Sequence, residues 1–287
     1  MSCLRSRAVA GALFGASLLL TATPVAVPAS ADALASTPDA TARENGAKSV
    51  IVVGASPARA AAIVDHAEAV RRTACERLFG DAGPRPWVPR CVVHVHATPA
   101  SFAAAVGGPP ESSRGATSLE FGSDRVVSRR IDVMGDGPEI VPDALAHELV
   151  HVVLADRFID AAPPRWADEG IAVLFDDAGK QAAHEADFRR AAAGGLAYPA
   201  TDLLTLEEYP GDAHRQRVFY GQSAALVRWL IDRRDAATFI RFVADLRSGD
   251  IHSAFERHYD LDMAAVFDSA WKEVPPIHSL SFNSAEE

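Results

Sequence analysis

With 287 residues, 48% of them hydrophobic, the chain is long enough to bury a sizeable core and sits between one large domain and two small ones. Its formal net charge of −10 and pI near 5.5 exclude a nucleic-acid partner, because phosphate-backbone binding needs a clustered basic surface that displaces counterions.

Read from the amino terminus, Arg5 and Arg7, the apolar stretch Ala8 to Leu20 and the small residues Ala29-Ser30-Ala31 follow the order of a secretory signal over residues 1–31. The apolar run is only about 13 residues, short of the roughly twenty that span a bilayer, and Thr21, Thr23 and Pro24 close it. Cleavage and export to the cell envelope or beyond are therefore expected, with no membrane span left in the mature chain. Cys3 leaves with the signal. Residues 32–48 lack a periodic apolar face and read as a flexible spacer.

From residue 49 to 137 an α/β lobe is expected. Val50 to Val53 is a β-branched strand stopped by Gly54, and Pro57 to Phe79 carries apolar residues at helical spacing. Cys91 to His96 reads as a second strand, followed by a helix from Pro99 to Val106 that the Gly-Gly-Pro-Pro run at 107–110 ends. Shorter extended pieces follow near 117–121 and 125–133. His94 and His96 share one strand face, as polar-face residues or as the lining of a substrate edge. In an oxidising compartment the two remaining cysteines, Cys75 and Cys91, suggest a single bridge, with a pair of buried thiols as the alternative.

After Gly135-Asp136-Gly137-Pro138 the character turns helical, giving a second lobe over 138–275 and a tail at 276–287. Pro142 and Asp143 suit the first turn of a helix running to about Phe158. Another helix is expected from near Trp166, and 218–234, 236–248, 250–258 and 262–272 each show apolar residues at three-and-four spacing. The fold class is thus α+β.

The chemistry lies in His147-Glu148-Leu149-Val150-His151. Two imidazoles four residues apart share one helix face and can hold one metal ion, and Glu148 beside them can reach a water bound to it. Zinc suits this arrangement, since three protein ligands leave a fourth position open for an activated water. Pro163-Pro164 forces a reversal after that helix, so Glu169, in the first turn of the next one, returns towards the metal as the third ligand. Gly170 removes a side chain where two helices approach closely. An ordinary helix-start carboxylate is the plainer reading of Glu169. Asp168 and Asp143 have the same plain reading, with imidazole orientation as the alternative.

The motif, followed by Pro164-Arg165-Trp166-Ala167-Asp168-Glu169-Gly170-Ile171-Ala172, resembles the gluzincin metallopeptidases, specifically the peptidase MA-like group. The likeness extends to Tyr220-Gly221-Gln222-Ser223-Ala224-Ala225 and, more loosely, back to residue 49, covering about residues 49–275. It implies a thermolysin-like core, one zinc ion held by His147, His151 and Glu169, and hydrolysis of a peptide or protein substrate with Glu148 as general base. It further implies Tyr220 as a donor to the oxyanion, beside the reading of a half-buried helix tyrosine. Relatives acting on a free N-terminus carry a Gly-x-Met-Glu-Asn segment, which Gly115-Ala116-Thr117-Ser118-Leu119-Glu120 does not match, so an endopeptidase is the expected type. A zinc-bearing but catalytically silent binding protein of the cell envelope is the rival reading, and Glu148 separates the two.

Overall fold

The computed structural model describes residues 5–9, 48–108, 113–246 and 249–262. Residues 10–31 of the expected signal, nearly all of the spacer, the helix expected over 262–272 beyond residue 262, and the tail lie outside the described residues. Among the described residues no helix is long and apolar enough to cross a membrane.

The elements are β1 (Arg5–Val9), β2 (Val50–Val53), α1 (Pro57–Phe79), β3 (Cys91–His96), α2 (Pro99–Val106), β4 (Gly115–Phe121), β5 (Val126–Met134), α3 (Leu145–Arg157), α4 (Arg165–Val173), α5 (Ala178–Ala193), α6 (Ala200–Thr205), α7 (Ala213–Arg233), α8 (Ala236–Asp245) and α9 (Ile251–Tyr259). The five strands form one mixed sheet in the order β1-β4-β5-β3-β2. β2, β3 and β5 run parallel, whereas β4 is antiparallel to β5 and to β1. The chain is therefore α+β, as its sequence suggests.

Local signals explain the element bounds. The Ser56 side chain caps α1 and Pro57 opens it, while Gly80, with φ of 69°, ends it in the left-handed conformation. Thr98, Pro99 and Gly107 do the same for α2. In β3, Cys91, Val93 and Val95 are buried in the main core while Val92, His94 and His96 alternate to the other face. On that other face α2 packs Phe102 against Ala116 and Met134. His96 bonds Asp132 at 2.7 Å and packs edge-on against Phe102, so the two strand histidines are polar-face residues on the α2 side.

The main core is continuous from Val50 to Leu261 and joins the sheet, through α1 and α3, to α4, α7, α8 and α9. Trp166, at the start of α4, is fully buried against Phe239 and Phe242 of α8. The suggested disulfide is not formed. Cys75 and Cys91 are free thiols, and burial pushes them up to about 11 and about 12, so both stay protonated and unreactive near neutrality.

Gly170 does mark a close helix approach, and the partner is α7. A Cβ there would stand 2.5 Å from Val227 Cγ2 and 2.6 Å from the backbone oxygen of Ser223. Because backbone cannot step aside as a side-chain tip can, Gly170→Ala should destabilise the fold by about 1–3 kcal/mol, the range of core overpacking. Urea unfolding would register this as a lower midpoint at unchanged slope. An unchanged midpoint would show that α4 and α7 separate freely.

Candidate metal centre

α3 supplies the first part of the site. It begins at Leu145, three residues later than Pro142 suggests, so Pro142 and Asp143 lie in the turn before it. His147 and His151, one turn apart on this helix, stack edge-on with ring centroids 5.0 Å apart. After Arg157 the chain reverses, and Pro164 opens α4 with its carbonyl accepting from the backbone N–H groups of Ala167 and Asp168. This turn delivers Glu169, fully buried, against the same point: Oε2 lies 3.2 Å from His147 Nε2 and 3.7 Å from His151 Nε2.

The ligand atoms of His147, His151 and Glu169 all fall within 4.8 Å of one another. Ligands about 2.0–2.1 Å from a tetrahedral ion stand about 3.3 Å apart, which the two carboxylate-to-imidazole distances approach. The donors are also prepared electronically. Nδ1 of His147 pairs with Asp176 at 3.2 Å, and Nδ1 of His151 with Asp168 at 3.0 Å. Each carboxylate fixes the proton on Nδ1 and leaves the Nε2 lone pair turned inward. Nε2 of His151 is buried without a hydrogen-bond partner. An orphaned buried nitrogen costs about 1–3 kcal/mol, and a cation at this point would satisfy it. The residues present therefore fit a metal ion.

The electrostatics agree. Burial opposes a positive charge on His147, but Asp176 and Glu169 outweigh it and hold the imidazole well above its usual range. His151 is likewise raised, burial being overcome by Asp168 and Glu169. Three carboxylates around two imidazoles thus form a pocket of negative potential that calls for a cation. Tyr209 adds a further contact, its hydroxyl donating to Glu169 Oε1. Burial first, then the charge of Glu169, raises this phenol well above its usual range, so it remains a donor.

Glu148 lies beside the cluster without joining it. Its Oε2 accepts from the Thr117 hydroxyl of β4 at 2.7 Å, and the same hydroxyl lies 3.2 Å from the Glu148 carbonyl oxygen. Burial pushes the carboxyl above its usual range, with His151, His147 and the Thr117 bond pulling the other way. Gly115 makes room for it: a Cβ there would come within 2.6 Å of Glu148 Oε1 and 2.9 Å of the Ala144 side chain. Glu148, His147 and Tyr220 line one cavity of about 190 Å³. The Tyr220 ring is buried, 6.4 Å from that of His147.

Of the two aspartates with alternative readings, Asp168 orients an imidazole, whereas Asp143 is an exposed partner of Arg114 and Lys180. Sequence reasoning missed Asp176, Tyr209, Thr117 and His184, which lines the same cavity. Only the position of Asp176 shortly after the α4 motif offered a signal. No family model matches the chain, and no curated protein is similar to it.

Proposed function

We propose that this chain is an exported zinc peptidase of gluzincin type with a thermolysin-like core, cutting peptide or protein substrates internally. The observation that carries the reading is Glu148: a buried carboxylate held by Thr117, adjacent to two preorganised imidazoles and open to the same cavity as His147. A site that only stores a metal has no use for a base in that place.

His147, His151 and Glu169 would hold the zinc ion, with Asp176, Asp168 and Tyr209 keeping their orientation. When bound, zinc supplies Lewis acidity, bringing the pKa of a water towards neutrality and polarising a carbonyl. Glu148 takes the proton of the attacking water and returns it to the leaving amine, and its raised pKa suits both directions of transfer. Tyr220 presents a phenol donor towards the oxygen on which negative charge develops, a contribution of several kcal/mol when preorganised. An extended peptide fits along β4 antiparallel to it. The pairing of β1 with the outer edge of β4, Arg5 opposite Phe121 and Val9 opposite Thr117, supports that geometry. Removal of residues 1–31 as a signal would free this edge for substrate.

The purified mature chain loaded with zinc should cleave an unfolded protein substrate, lose that activity on dialysis against a chelator, and regain it with one equivalent of zinc. Cleavage indifferent to the chelator, or no cleavage of any unfolded protein by the loaded chain, would overturn the proposal.

A further inference from the structure

A second cavity, of about 590 Å³, opens where α1, the turn after it, the last turns of α3 and the first turns of α8 meet, and it shares no lining residue with the cavity at the metal centre. That volume lies in the range of small-molecule sites. Leu78, Val153 and Ile240 give it apolar walls, and its charged lining is four arginines, Arg71, Arg85, Arg157 and Arg241, against two aspartates, Asp81 and Asp156.

The partners behind the wall leave that balance unchanged. Asp156 Oδ1 accepts from Arg129 Nη2, and Arg71 Nη1 stands 3.8 Å from Glu68 Oε2, so each of these two lining charges is met by one that does not line the cavity. The other three arginines are exposed and share the space with one aspartate, Asp81, whose Oδ1 accepts from the backbone N–H of Gly83. Arg241 donates to the Thr238 hydroxyl at 2.9 Å and Arg157 lies over the Phe79 ring at 5.9 Å, and among the described residues neither they nor Arg85 pair with a carboxylate. A surplus of positive charge thus gathers at one place in a chain of net charge −10.

The unmet hydrogen-bonding groups are donors as well. Arg71 is 4% exposed, its guanidinium stands 4.7 Å from the centre of the Trp87 ring, and its Nε is buried without a hydrogen-bond partner. Arg129, 5.6 Å from the same ring, has a buried Nε in the same condition. Leaving such a donor unpaired costs about 1–3 kcal/mol, and more on a charged group. Neither lining aspartate has a buried oxygen left unpaired.

We propose that this cavity binds a phosphomonoester carried on a small apolar body. Such a group brings about two negative charges at neutral pH together with several acceptor oxygens, which suits arginine forks in surplus over carboxylates. A carboxylate would bring one charge only. The apolar walls take up the rest of the ligand. Binding here needs neither zinc nor turnover, so it stands apart from the peptidase reading.

Titration calorimetry on the zinc-loaded mature chain tests this with phenyl phosphate, inorganic phosphate and phenylacetate as probes. Phenyl phosphate should bind once per chain, roughly tenfold tighter than inorganic phosphate, which lacks the apolar body, and roughly tenfold tighter than phenylacetate, which lacks the second charge. The double variant Arg157→Glu, Arg241→Glu should lose at least about tenfold in affinity for phenyl phosphate, with thermal melting confirming that it is folded, and the neutral pair Arg157→Gln, Arg241→Gln should lose less, in step with charge. No binding of phenyl phosphate overturns the site. Affinity unmoved in both double variants also overturns it, because a probe held at the metal centre would not respond to these two residues. Phenylacetate or inorganic phosphate binding as tightly as phenyl phosphate would overturn the assigned ligand class.

Discussion

Glu148→Gln should lower peptide hydrolysis by roughly 10²–10⁴-fold, the usual contribution of a positioned base, while zinc stays bound. The glutamine keeps the size of the side chain and an oxygen for the Thr117 hydroxyl, so the bond to β4 survives. It removes only the capacity to take a proton. Neither His147 nor His151 can substitute, because each has its Nδ1 on a carboxylate and its Nε2 on the metal point. Single-turnover assays beside elemental analysis separate the two effects. Turnover at the parental rate would assign the proton transfer to another group.

Glu169→Ala should abolish retention of zinc through dialysis, since it removes one of three ligands and leaves two lone pairs facing a void. The outer contacts should show a graded response. Asp168→Asn and Asp176→Asn leave every ligand in place but weaken the hold on each Nδ1–H, for which an affinity loss of about 10–100-fold is expected. Tyr209→Phe loses one bond to Glu169 and should fall at or below the lower end of that range. Competition against a chromophoric chelator measures all four. Because Glu169 is fully buried, Glu169→Gln serves as the shape-preserving control for folding. Full zinc content in Glu169→Ala would dismiss this residue as a ligand.

Much of this site was legible because its logic is local. Two histidines one helical turn apart need only a helix to share a face, and a double proline followed by Glu169 needs only a reversal to bring the carboxylate back. The bounds of α1, β3 and α2 follow their capping residues and glycines closely for the same reason. What escaped was decided over longer distances or by neighbours of identical chemistry. Asp176 and Asp177 are adjacent, yet one meets His147 while the other caps α5 through the N–H groups of Gly179 and Lys180. Nothing in the sequence says which does which. Tyr209 lies in an irregular stretch before α7, where no periodicity places a side chain. α5 is rich in alanine and charge without an apolar stripe, so its pattern did not announce a helix, and His184 on it went unnoticed. The position of β3 between β2 and β5 depends on pairing between distant strands, which alternation alone does not fix. The late start of α3 is a smaller lesson: Pro142 and Asp143 have helix-opening character but are used in the turn that precedes it.

The most direct measurement of the central claim is the metal content of the purified mature chain, taken by elemental analysis after mild dialysis and beside His147→Ala. A zinc content near one per chain, lost in the variant, is the result expected of two imidazoles and one carboxylate closing on a single point. A parent chain that holds no zinc even after reconstitution would contradict it, and with it the peptidase reading built on Glu148.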